Sequence, residues 1–193
     1  MVRREYGTNR LVPPPPPGRG GAVVATCVNA SDCTEELQAA ISSGAAHLHV
    51  PRLEGGRPWI VRPLKLRSHQ TITLAAGVEI LAKRLAFQSK YTGLISANAV
   101  ENVTIEGGPG SMLRMHRADY ANASADQGIV YSKSEWRHGI SLSGAKDITI
   151  RGIRVTETGG DGVQIASCEK GVCNGQATSS SNILIENCES PTI

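Results

Sequence analysis

One short motif is written three times in this chain, as Asn102-Val-Thr-Ile-Glu-Gly, Asp147-Ile-Thr-Ile-Arg-Gly and Asn182-Ile-Leu-Ile-Glu-Asn. Each copy is a turn residue followed by a few residues that alternate apolar and polar, the pattern of a short strand with one face buried. Similar segments recur at His47–Val50, Trp59–Val61, Thr71–Leu74, Val78–Leu81, Leu94–Ser96, Ile140–Leu142, Ile153–Val155 and Val163–Ile165. Ile140 and Val163 are 23 residues apart, and Val103 and Ile148 are 45 apart, close to twice that. Ile148 and Ile183 are 35 apart, which reads as one period plus the polar stretch from Cys168 to Ser181. A period in the low twenties, built from short strands, predicts a solenoid whose coils bury one shared core. A leucine-rich repeat would show a Leu/Asn ladder at fixed offsets, and there is none. The remaining solution is an all-β parallel β-helix with about three to four coils.

Only one helix is predicted. Asp32 with Glu35 three residues later has the form of a capping box. Leu37, Ala40 and Ile41 follow at helical spacing and Gly44 stops the run, giving a helix near 34–43. It would cover the open end of the first coil, where an unpaired edge would recruit other strands. Residues 1–21 read as a disordered, proline-rich leader and 22–193 as the β-helix domain. That domain is expected to be incomplete, because Pro191-Thr-Ile ends in mid-coil. The formal charge of +3 belongs to the leader, where four arginines face one glutamate, so the body is neutral. A neutral body excludes nucleic acid as the main partner. No apolar run approaches a membrane span or a signal peptide, so extracellular placement is expected only if the natural start lies upstream. Five cysteines allow the local pairs Cys27–Cys33 and Cys168–Cys173 and leave Cys188 over. Nothing in the sequence bears on oligomeric state.

The chemistry-bearing residues gather where the repeat is interrupted. Between Met112 and Arg137 stand Tyr120, Tyr131 and Trp136, whose flat faces suit sugar rings. Ser134-Glu135-Trp136-Arg137-His138 leads into the strand at Ile140. Here Arg137 is a candidate grip for a substrate carboxylate, Glu135 a further contact, and His138 a proton carrier near neutral pH. Gly159-Gly160-Asp161-Gly162 forces a tight turn that presents Asp161 at a strand entrance, with Glu157 four residues earlier. Asp161 and Glu157 could serve as acid and base in glycoside cleavage, or as ligands for Ca²⁺. No other cofactor and no metal cluster is indicated. Each feature also has a purely structural reading: a packed histidine, a local Glu–Arg pair, an Asp-Gly turn. The sequons at Asn29, Asn102 and Asn122 carry little, since Asn102 and Asn182 also read as turn residues of the repeat.

These segments together resemble the right-handed parallel β-helix proteins of the pectate lyase and polygalacturonase type, over about residues 27–193. The resemblance rests on Thr34-Glu-Glu-Leu-Gln-Ala-Ala-Ile, on Val61 to Leu74 and on the repeated strand motif. Ser134–His138 and Gly159–Gly162 place it nearest to β-helix repeat proteins carrying those two motifs. It implies a right-handed coil and a carbohydrate-active protein that cleaves or modifies an acidic polysaccharide, as lyase or glycoside hydrolase, with a non-catalytic glycan-binding module as the alternative. The chain departs from the pattern in lacking the multi-Asp signature of a polygalacturonase and the basic cluster of a lyase.

Overall fold

The computed structural model describes residues 4–6, 21–121, 131–132, 134–169 and 178–190. The proline run, Asn122, Cys173 and the end at Pro191 therefore lie outside the described residues. Within them the chain forms β1 (Arg4–Tyr6), β2 (Ala22–Val24), α1 (Thr34–Ser42), β3 (His47–Val50), β4 (Trp59–Val61), β5 (Leu64–Lys65), β6 (Gln70–Leu74), β7 (Glu79–Ala82), β8 (Ile95–Asn98), β9 (Glu101–Gly107), β10 (Met112–Arg114), α2 (Arg117–Ala121), β11 (Ile140–Ser143), β12 (Lys146–Arg151), β13 (Arg154–Thr156), β14 (Val163–Ala166) and β15 (Ser181–Glu186).

The strands stack into three sheets. The first runs β1-β15-β12-β9-β6-β3-β2, the second β13-β10-β7-β4 and the third β14-β11-β8-β5. Apart from β1, which is antiparallel to β15, every pairing is parallel. Successive strands visit the three sheets in turn, which is a right-handed parallel β-helix. Its coils are β3-β4-β5, β6-β7-β8, β9-β10-β11 and β12-β13-β14, with β15 opening the next. Side chains alternate in and out of each coil, and like residues stack in register. Leu48, Ile72, Ile105, Ile150 and Ile185 form one aliphatic column. Leu64, Ile95, Ile140 and Val163 form another. Full burial of each such side chain contributes about 1.5–3 kcal/mol.

The repeated motif has a backbone cause. Asn102, Asp147 and Asn182 all sit at positive φ, at 57°, 54° and 57°, and His69 joins them at 61°. The left-handed conformation penalises most side chains but is tolerated by Asn and Asp. The side chains also form a ladder between coils: Asn102 Nδ2 lies 3.3 Å from His69 Nδ1, and Asn182 Nδ2 donates to Asp147 Oδ1.

Two expectations change. The 45-residue spacing between Val103 and Ile148 is one coil rather than two, because these residues pair directly and the excess is the excursion from Met115 to Gly139. Asp32 is not the N-cap residue of α1; Cys33 is, without a side-chain cap. Asp32 acts from one position earlier, accepting from the Thr34 N–H at 3.0 Å. Cys27 and Cys33 form a disulfide, Cys168 is disulfide-bonded as well, and Cys188 is free and half-buried.

Candidate functional site

The outer face of the third sheet is polar by alternation. In β8 and β11, Ile95 and Ala97, Ile140 and Leu142 point inward, so Ser96, Asn98, Ser141 and Ser143 point out. Register then aligns Lys65, Ser96, Ser141 and Gln164 into one row across four coils. Adjacent strands lie about 4.8 Å apart, so this row runs along the solenoid axis. It floors a cleft of about 500 Å³ whose wall carries Tyr91 and Trp136. Those two rings are 73% and 54% exposed, and their centroids are 6.3 Å apart. Ser134 sets this pair: its hydroxyl donates to the Lys90 carbonyl at 2.6 Å and accepts from the Trp136 N–H at 3.1 Å.

Trp136 also borders a second cleft of about 430 Å³, which holds Glu135, Asp161 and Arg117. His138 lines both clefts. Its Nδ1 accepts the Asp161 N–H at 2.9 Å and lies 3.5 Å from Asp161 Oδ2. An accepting Nδ1 places the proton of a neutral ring on Nε2. Burial pulls the His138 pKa below its usual value, with the Asp161 carboxylate opposing, so the neutral ring is the form held at pH 7.

The two sequence motifs are thus neighbours on successive coils. The Gly159 N–H donates to the Arg137 carbonyl at 3.0 Å, and the Gly139 N–H to the Asp161 carbonyl at 3.1 Å. Glycine is required by this approach: a Cβ at Gly160 would stand 2.3 Å from the Glu135 carbonyl oxygen and 2.8 Å from His138 Nδ1.

Arg137, Tyr120 and Tyr131 are corrected by their burial. Their exposures are 0%, 0% and 1%, so none of them presents its side chain to solvent. The Arg137 guanidinium packs against both rings, 5.1 Å from the centroid of Tyr120 and 5.3 Å from that of Tyr131. It donates to the carbonyls of Phe87 at 2.8 Å, Ser132 at 3.0 Å and Gln88 at 3.3 Å. Those bonds tie the loop after β7 to the segment bearing Trp136, so Arg137 positions the cleft wall from behind. Residues 134–138 are not a strand, so no alternation decides which of them faces outward. Trp136 keeps its expected exposed place. Glu157, on the turn after β13, lines neither cleft, and the carboxylate that shares a cleft with Asp161 is Glu135.

Reading the sequence missed Tyr91, Arg117 and the outward row of the third sheet. The signal for the row was present, since Ile95-Ser-Ala-Asn and Ile140-Ser-Leu-Ser place small polar residues at every outward position. Tyr91 had no such signal; it stands in a polar loop between strands. Among the described residues no three of His, Cys, Asp and Glu come together as metal ligands.

A parallel β-helix with a polar cleft along one sheet and a carboxylate-bearing cleft beside it is the class of protein defined by this geometry. Among solved structures, the chain is similar to a candidate glycosyl hydrolase from Parabacteroides merdae, at 14% identity and a TM-score of 0.56, over 88% of this chain and 96% of that one. At that identity the likeness is one of fold. No protein-family model and no curated protein matches the chain.

Proposed function

We propose that this protein acts on a polysaccharide, as a β-helix protein of the pectate lyase and polygalacturonase type that cleaves by hydrolysis. The observation that carries this reading is the second cleft, which Asp161 and Glu135 line together with His138 and Trp136. Glycoside hydrolysis needs two carboxyl groups, one to protonate the leaving oxygen and one to activate water or attack the sugar. Asp161 and Glu135 supply that pair. His138 takes no charge in this scheme; it fixes the Asp161 turn through its Nδ1. The adjoining first cleft would hold the polymer on either side of the scissile bond, with Trp136 shared between the two. Supporting hydrolysis over elimination, the second cleft offers, among the described residues, one cation, Arg117, beside the two carboxylates. The likeness to a candidate glycosyl hydrolase agrees with this reading at the level of fold.

The test is reducing-sugar release from a panel of soluble polysaccharides, read in parallel with ultraviolet absorbance of unsaturated products. Asp161→Asn and Glu135→Gln should each lower reducing-sugar release by roughly 10²-fold or more, with unchanged circular dichroism. An absorbing product would replace hydrolysis by elimination. Polysaccharide binding without release, equal in wild type and variants, would make the protein a glycan-binding module.

A further inference from the structure

The charge on the clefts bears on which polysaccharide they take. The first cleft is lined by one cation, Lys65, and one anion, Glu169, at opposite edges of the third sheet. The second adds Arg117 against Glu135 and Asp161. Among the described residues, a polymer lying across both would meet two cations and three carboxylates. The Arg137 guanidinium is sealed behind the wall and donates to three carbonyls. What the cleft does present is a row of hydroxyl and amide groups, Ser96, Ser141 and Gln164, and two exposed aromatic faces, Tyr91 and Trp136. Hydroxyls and amides exchange hydrogen bonds with sugar hydroxyls in both directions, and aromatic faces cover the apolar side of a sugar ring. A polymer with a carboxylate on every ring would instead lose hydration to a lining whose described residues carry no cationic surplus, which costs free energy.

We infer that the ligand is an uncharged polysaccharide, laid along the Lys65–Gln164 row and stacked on Trp136, rather than the acidic polymer implied by the sequence resemblance. This rests on the reading of the clefts as a polysaccharide site, and it narrows the substrate to neutral glycans.

The experiment is affinity electrophoresis of the full chain through gels containing neutral polymers (a β-glucan, a xylan, a galactomannan) or acidic ones (polygalacturonate, alginate), at low and high ionic strength. A neutral polymer should retard the protein at both ionic strengths. Trp136→Ala should weaken that retardation by roughly tenfold. Trp136 is 54% exposed, so its truncation leaves the core intact. Tighter retardation by polygalacturonate or alginate, weakened by salt and by Lys65→Ala, would overturn the neutral assignment and leave the polysaccharide site standing. Indifference to every polymer, in wild type and Trp136→Ala alike, would overturn the site itself.

Discussion

The two ends of the solenoid solve the same problem to different degrees. At the N-terminal end each sheet's first full-coil strand has its outer edge occupied. β2 pairs with β3. The Cys33 N–H donates to the Ile60 carbonyl at 2.7 Å, and the Thr34 hydroxyl accepts from the Arg62 N–H at 2.7 Å, covering β4. Gln38 mimics a strand against β5, donating to the Lys65 carbonyl at 3.0 Å and accepting its N–H at 2.9 Å. Beneath them Leu37, Leu48, Trp59 and Leu64 are at most 1% exposed. At the other end, among the described residues, β15 is met by the three residues of β1, Glu189 bridges part of β13, and β14 is the last strand of its sheet. Val163, Ile165 and Ile185 are only partly buried there. A helix closes a solenoid well because it brings side-chain amides and backbone donors to an edge and offers no new edge. Single strands and bridges close it in part.

The largest consequence is an asymmetry in stability. Leu37→Ala removes a buried contact from α1 and should destabilise by about 2–5 kcal/mol. Ile165→Ala, the same kind of truncation at the half-open end, should cost less than half as much, because water already reaches the site. Urea unfolding of the two variants checks this. Equal losses would mean that the C-terminal coils are covered as fully as the N-terminal ones.

The second cleft lies toward the weaker end, on the third and fourth coils, and one substitution sharpens that link. Gly160→Ala drives a Cβ into the Glu135 carbonyl, and backbone cannot swing aside as a side chain can. We expect a loss of about 1–3 kcal/mol together with at least tenfold weaker polysaccharide binding. Binding unchanged from wild type would separate the glycine turn from the site.

This also marks what could be read without coordinates. The coil period, the αL turn residues and the apolar columns all follow from local rules applied to Asn102, Asp147 and Asn182 and to the alternating strands after them. The site was legible only where it sits on such local order. Asp161 and His138 stood out because a glycine turn and a strand entrance are local features, and their contact across 23 residues is one coil of the helix. Arg137, Tyr120 and Tyr131 did not obey local rules. Their burial is decided by the loop after β7 folding over them, a non-local event, and nothing in the five residues 134–138 distinguishes a guanidinium facing a ligand from one facing three carbonyls.

The smallest effect is set by acid, and it should appear at the well-closed end. Asp32 holds α1 to the first coils: its carboxylate lies 2.8 Å from Lys83 Nζ and 3.1 Å from Arg62 Nε. Burial alone would raise its pKa, but the hydrogen bonds from Lys83 and Thr34 and the charge of Arg62 overrule that and hold it well below the usual carboxylate range. A carboxylate with a depressed folded pKa stabilises fully above the unfolded value of about 3.9, and that contribution disappears as pH falls below it. Arg62 and Lys83 are 43% and 38% exposed, so solvent screening keeps the effect modest. At neutral pH Asp32→Asn should therefore lower Tm by roughly 2–4 °C, the shift that about 1 kcal/mol produces in a chain of this size. From about pH 5 down to about pH 2 the wild-type and variant melting curves should converge, because protonation removes from the wild type what the substitution has already removed from the variant. A gap that stays constant over that range would show that the Asp32 side chain acts on α1 by shape and hydrogen bonding alone, and that the N-terminal closure owes nothing to its charge.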